Sequence, residues 1–148
     1  MFKRVIIKKA DLNDAREIHN LIKKYAERGL MLYRHKGQIE RNIRDYFVAR
    51  MGGVLVGCCA LRVWERRGAE IYALAVKEKL SGNGLGTKLV KICIKDAKKI
   101  GLPFVFTLTF RAGMFERLGF KKITFGSLPR VIFSEKTVDV DKAYGLTL

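Results

Sequence analysis

The sequence predicts a single mixed-sheet α/β (α+β) domain over residues 1–148, and three observations carry that prediction. Strand-like segments joined by tight glycine turns predict an antiparallel meander over residues 46–76. An apolar strand, a glycine-rich loop and an amphipathic helix then follow one another and lead into another strand at residues 104–109. Such a crossover predicts a parallel strand pair. The composition, 49% hydrophobic and 30% charged over 148 residues, suits a folded chain long enough to bury a core.

Residues 2–8 (FKRVIIK) read as the first strand, and Asp11 caps the helix that follows. Ala15, Ile18, Ile22 and Tyr25 recur at helical spacing, Leu21 and Ala26 widen the stripe, and Gly29 stops it. His19 lies at the stripe's edge, where a packed or surface histidine is expected rather than a ligand. Residues 29–34 (GLMLYR) form a loop with exposed apolar side chains. A short helix is expected over residues 38–46, with Ile39, Ile43 and Phe47 inward. A strand then starts at Tyr46, Gly52-Gly53 turns it into residues 54–64, and Arg66-Arg67-Gly68 turns it again towards Val76.

Beyond the glycine loop, Leu85, Leu89, Cys93, Ala97 and Ile100 share one helical face, with Lys88, Lys91, Lys95, Lys98 and Lys99 largely outside it. Gly101 and Pro103 end that helix. A strand over residues 104–109, a short helix over 112–118 and a final hairpin of 120–125 with 131–133 complete the reading. Residues 137–148 receive no assignment.

Several function classes are set aside by composition. No apolar run reaches membrane-spanning length, and the N-terminal MFKRVIIKKAD flows into a strand pattern rather than a signal peptide. A cytoplasmic protein is expected. The three cysteines, Cys58, Cys59 and Cys93, show no metal-ligand spacing, so no metal is expected and all three read as small core residues. The net charge of +16 is spread along the chain rather than gathered into a tail or an aromatic platform. A solvated basic surface is therefore preferred to a nucleic-acid interface, which stays as an alternative.

The chemistry centres on residues 81–87 (SGNGLGT), where Gly82, Gly84 and Gly86 sit between a strand and a helix. Glycine lets backbone N–H groups approach an anion, and the helix N-terminus adds positive potential. The loop is not a P-loop, since Thr87 precedes Lys88, and it is not a dinucleotide fingerprint, since the third glycine comes one residue early. Together with MFERLGF (residues 114–120) and the order of elements, it resembles the acetyl-CoA loop of GNAT N-acetyltransferases over nearly the whole chain. The family's Gln/Arg-x-x-Gly-x-Gly/Ala is met here by Ser81-Gly82-Asn83-Gly84-Leu85-Gly86, with Ser81 departing from the first position.

This resemblance implies a mainly antiparallel sheet with a central, splayed parallel pair and helices on both faces. It implies acetyl-CoA as co-substrate, held by Gly82, Asn83, Gly84, Leu85, Gly86 and Thr87 and paired along the backbone of Leu74, Ala75 and Val76. The N–H near Leu74 would stabilise the oxyanion. Glu70 sits where the histone-acetyltransferase branch has its glutamate base, and a partly buried carboxylate suits that task; the alternative is a solvated or ion-paired glutamate. Phe115 stands where many members carry a tyrosine that protonates the leaving thiolate, so that role is unassigned. GLMLYR and LTFR (residues 108–111) further resemble the acetyltransferase domain of N-acetylglutamate synthases. The counterparts of that domain's carboxylate-binding arginines are Arg34 and Arg111, whose planar forks suit a carboxylate. Glutamate is then the expected acceptor, in arginine biosynthesis. A protein N-terminus, a polyamine, or a non-catalytic acyl-CoA sensor remain alternatives, and a homodimer is left open.

Overall fold

The computed structural model describes residues 4–130, 132 and 139–148. Among the described residues, seven strands form one mixed sheet: β1 (Val5–Lys9), β2 (Tyr46–Met51), β3 (Val54–Glu65), β4 (Gly68–Val76), β5 (Phe104–Leu108), β6 (Lys121–Lys122) and β7 (Ala143–Thr147), in the order β1-β2-β3-β4-β5-β7-β6. They are accompanied, among the described residues, by the helices α1 (Ala15–Glu27), α2 (Lys36–Arg41), α3 (Leu85–Lys99) and α4 (Ala112–Arg117). The chain divides into two compact units, Met1–Ala60 with Ala73–Lys91, and Leu61–Tyr72 with Ile92–Leu148. Strands β3 and β4 contribute residues to both.

In the first unit, β1 pairs antiparallel with β2, and β2 with β3. The β2–β3 turn places Gly52 and Gly53 at φ +59° and +81°, the left-handed pair that a two-residue hairpin needs. Asp11 accepts from the Asn13 N–H and Asp14 accepts from the Asp11 N–H, a reciprocal cap on a 3-10 turn that leads into α1. α1 buries Ala15, Ile18, Leu21, Ile22 and Tyr25 as its spacing predicts, while Ala26 is only half-buried. The next helix is shorter than expected, ending at Arg41 before a separate 3-10 turn at Ile43–Asp45; Ile39 is buried and Ile43 half-buried.

One charged cluster ties α1 to β2. The Arg50 guanidinium donates to Asp14 at 2.6 Å, to Glu17 at 2.8 Å and to the Gly53 carbonyl at 2.9 Å. Burial pushes the Asp14 carboxyl up, but the hydrogen bonds from Arg50 and the Asp11 N–H outweigh it and hold it below its ordinary value. Glu17 is lowered mainly by its bond from Arg50, and Arg50 is raised in return.

In the second unit, β5 pairs in parallel with β4 and antiparallel with β7, and β7 pairs antiparallel with β6. Phe106, Leu128 and Ile132 form a buried cluster against which Trp64, Phe104, Leu108 and Ile123 pack. Gly145 of β7 is required by space: a Cβ there would stand 2.4 Å from the Phe104 ring.

Two expectations are corrected here. Ile100 is 55% exposed, because α3 has closed at Lys99 and Gly101 (φ +88°) turns the chain away; Val90 is buried on the inner face instead. The final hairpin is also wrong. β6 is two residues long, Phe125–Ser127 is a 3-10 turn, and the partner of β6 is β7, in the tail that had no assignment. Ile132 lies in helical backbone, and the other two residues of the expected return strand, Val131 and Phe133, lie outside the described residues, as do Phe2 and Lys3 of the expected first strand. β7 (AYGLT) carries a central glycine and is flanked by β5 and β6, so its strand character depends on two neighbours rather than on propensity.

Candidate functional site

β4 brings the candidate residues into one segment. Its parallel pairing with β5 comprises only Ala69↔Val105 and Glu70↔Phe106. One residue on, the Thr107 hydroxyl donates to the Ile71 carbonyl at 2.9 Å, so a side chain takes over from the ladder. Ala73 then adopts φ +53°, the one non-glycine positive φ among the described residues. A left-handed alanine inside a strand is strained, and it rotates the following peptide out of the regular ladder direction. Leu74 follows this outlier directly, still within β4.

The glycine loop follows. Gly82 and Gly84 lie at φ +82° and +80°, and a Cβ on either would meet no protein atom within 4 Å. Their need for glycine is thus conformational and leaves the outer face of the loop open to a ligand. The Lys88 N–H donates to the Gly84 carbonyl at 3.0 Å. The N–H groups of Leu85, Gly86 and Thr87 are therefore the first-turn donors that helix geometry leaves without an intrahelical acceptor. A pyrophosphate fits this cradle of donors and small residues. Gly57 lets α3 come close: its missing Cβ would stand 3.1 Å from Leu89 Cδ1 and 3.3 Å from the Ala75 carbonyl.

The backbone groups of Ala75 and Val76 meet different partners within the protein. Ala75 faces β3 through that carbonyl, and the Lys77 N–H donates to Val56 at 2.8 Å on the same side. Alternation turns Val76 to the opposite edge, with Leu74 beside it. Yet the Tyr25 hydroxyl donates to the Val76 carbonyl at 2.7 Å and accepts from its N–H at 3.0 Å. Both Val76 groups are engaged by the protein, and Leu74 is the outward-facing position of the three.

In the second unit, Glu70 is 3% exposed, and its Oε1 accepts from the Trp64 indole at 3.0 Å. Such burial does not describe a solvated carboxylate. Trp64 is held by the buried cluster behind it, so the carboxylate is oriented by a rigid donor. Next along the hairpin, Arg62 lies over the Trp64 and Tyr72 rings, 5.4 and 5.0 Å from their centroids, and donates to the Tyr72 hydroxyl at 3.3 Å. Arg111 is exposed at the start of α4, with its N–H donating to Thr109 Oγ1 at 2.9 Å. Arg34 belongs to the first unit and donates to the Leu32 carbonyl at 3.3 Å; Tyr33 beside it bonds His19 at 3.0 Å. Phe115 is buried edge-on against Phe120.

Sequence reasoning missed Trp64, Arg62, Tyr72 and the hydroxyl of Tyr25. The available signal was chemical: a tyrosine or tryptophan placed in a core stripe must find a partner for its polar atom.

A model of the acetyltransferase (GNAT) family matches residues 12–120. The chain belongs to that family. The N-acetyltransferase is 37% identical over 131 residues to an uncharacterized N-acetyltransferase of Chlorobaculum tepidum, covering 88% of this chain and 84% of the relative. It is 30% identical to an amino-acid acetyltransferase of Mycobacterium tuberculosis, covering 98% of this chain and 86% of that one. Among solved structures, N-acetylglutamate synthase from Neisseria gonorrhoeae, complexed with coenzyme A and N-acetyl-glutamate, superposes with a TM-score of 0.87 at 27% identity. That match covers 98% of this acetyltransferase but only 35% of the synthase chain. Among the described residues, no group of three or more His, Cys, Asp or Glu side chains could hold a metal ion, and no helix is long and apolar enough to cross a membrane.

Proposed function

We propose that this acetyltransferase moves the acetyl group of acetyl-CoA to the α-amine of an acidic amino acid, glutamate foremost. The observation that carries the transferase chemistry is β4 itself: a buried, oriented Glu70, the left-handed Ala73 and the outward Leu74 lie within five residues and run on to the open glycine loop. Acetyl-CoA supplies the activated thioester. Gly82, Asn83, Gly84, Leu85, Gly86 and Thr87 hold its pyrophosphate, and the Leu74 N–H is the donor for the oxygen that gains charge when the amine attacks. Glu70 takes one proton from the ammonium, directly or through water, so that the neutral amine can form the C–N bond. The C–S bond then breaks, the nitrogen gives up its second proton, and the departing sulfur takes up one. Phe115 cannot donate it, which leaves solvent or the amine itself as the source.

The acceptor reading rests on Arg34 and Arg111, on the basic charge, and on the relatives' amino-acid substrates. Arg111 would clamp one carboxylate and Arg34 the other. A thiol-release assay with acetyl-CoA across amino acids, polyamines and N-terminal peptides tests it, and glutamate should be the best acceptor. One charge-assisted contact is worth about 1.5–3 kcal/mol, so Arg111→Ala should raise the glutamate KM roughly tenfold to a hundredfold with acetyl-CoA binding intact. Lysine there should rescue only in part. Turnover of a polyamine or peptide with none of glutamate would overturn the acceptor and leave the transferase standing.

A further inference from the structure

We infer that Lys142 is a positioning residue for Arg111, holding the loop between β5 and α4 from the turn that precedes β7. This rests on the reading that Arg111 binds a carboxylate of the acceptor. The residues involved belong to the second unit. Lys142 takes hold of the loop twice. Its carbonyl accepts from the Thr109 N–H at 2.9 Å, which carries the β5–β7 ladder one residue beyond the Leu108↔Ala143 pair. Its ammonium lies 4.1 Å from the centroid of the Phe110 ring. That ring is 51% exposed, so packing covers only part of it, and the cation supplies a further attraction that fixes its direction. Thr109 passes the hold on, since its Oγ1 accepts from the Arg111 N–H at 2.9 Å. Lys142 therefore pins the two residues immediately before Arg111, one through its backbone and one through its side chain.

The lysine is itself braced. It closes a 3-10 turn, Val140–Lys142, that Asp139 precedes. Asp139 Oδ2 stands 3.2 Å from the Lys142 ammonium, and Oδ1 accepts from the Asp141 N–H at 3.1 Å. The Asp139 carbonyl accepts from the Lys142 N–H at 3.0 Å. An ion pair this exposed adds little stability by itself. Its consequence is where it leaves the ammonium, over Phe110. α4 begins at the residue after Arg111, so the same loop sets how the chain enters that helix. A carboxylate clamp depends on placement, because a planar fork must meet two oxygens at once. Lys142 takes no part in the proton transfers of the proposed reaction, and it acts on the acceptor through Arg111.

Steady-state kinetics with glutamate test this in the wild type, Lys142→Met, Arg111→Ala and the double variant. Methionine keeps the stem and the carbonyl bond and removes the cation. Lys142→Met should raise the glutamate KM roughly twofold to fivefold, the factor that an exposed cation–ring contact supplies. Saturated kcat and the calorimetric affinity for acetyl-CoA should not change. In the Arg111→Ala background the same substitution should raise KM no further, because the guanidinium it positions is gone. Lys142→Arg keeps a cation for the ring and should restore most of the wild-type KM. An unchanged KM in folded Lys142→Met, an equal rise in the Arg111→Ala background, or a loss shared by kcat and acetyl-CoA binding overturns the inference. Should Lys142→Met fail to fold, Phe110→Leu decides: it removes the ring from the same contact and should give the same rise, again absent from the Arg111→Ala chain. Arg111→Ala with a wild-type glutamate KM overturns the acceptor reading as well. A raised KM in Arg111→Ala beside an indifferent Lys142→Met overturns this inference alone.

Discussion

Glu70 illustrates how a single residue's role depends on its partner. A carboxylate near the start of an apolar strand is ambiguous on paper. In the structure it is buried and takes an indole hydrogen bond from Trp64, which orients it. Glu70→Gln should keep that contact and the fold, since the amide oxygen still accepts. Turnover should fall by about a hundredfold or more, acetyl-CoA affinity should hold, and the acid limb of kcat/KM should disappear. Wild-type rates and pH dependence in this variant would assign Glu70 to structure.

At the scale of elements, α3 and the turn before it separate two uses of glycine. Gly84 lies at φ +80°, whereas Gly86 is inside the helix. Gly84→Val should therefore lose both stability, by roughly 1–3 kcal/mol, and acetyl-CoA binding. Gly86→Val avoids that left-handed penalty yet should bind acetyl-CoA much more weakly, because its side chain would stand among the first-turn N–H donors of α3. Thermal melts read beside calorimetry distinguish the two, and a Gly86→Val chain with wild-type affinity would remove the loop from the site.

The α1–β2 link makes a pH prediction. Asp14 and Glu17 have lowered folded values, so their bonds to Arg50 add stability above the ordinary carboxylate range, and that stability is lost as pH falls through the lowered values. Arg50→Met leaves the buried Asp14 carboxylate without its cation and should cost about 2–4 kcal/mol at neutral pH. The gap between variant and wild type should narrow in acid, where both carboxylates are protonated in either chain. Urea melts from neutral pH to about pH 3 check this, and a pH-independent gap would contradict it.

Across the whole molecule, a net charge of +16 faces two anionic substrates, acetyl-CoA and, on the proposed reading, a dicarboxylate. Such a field concentrates anions and is screened over about 8–10 Å at ordinary ionic strength. Raising salt should therefore lower kcat/KM for both substrates while leaving saturated kcat nearly constant. Equal loss of kcat would point to an effect on the catalytic step instead.

Local pattern was enough for much of the fold. The α1 stripe, the Gly52-Gly53 turn, the strand-loop-helix crossover and the glycine loop depend on periodicity and on φ > 0, properties of a few neighbouring residues. The family, too, was legible, since its signature sits in that same loop and in residues 114–120. Tertiary structure alone decided the rest. β7 is a strand because β5 and β6 flank it, and Ile100 is exposed because α3 ends one residue before it. Trp64 meets Glu70, and Tyr25 meets Val76 across 51 residues of sequence. Such contacts are set by where strands and helices dock. A one-dimensional period can show that a tyrosine is buried and must find a partner, but only the folded chain supplies the partner.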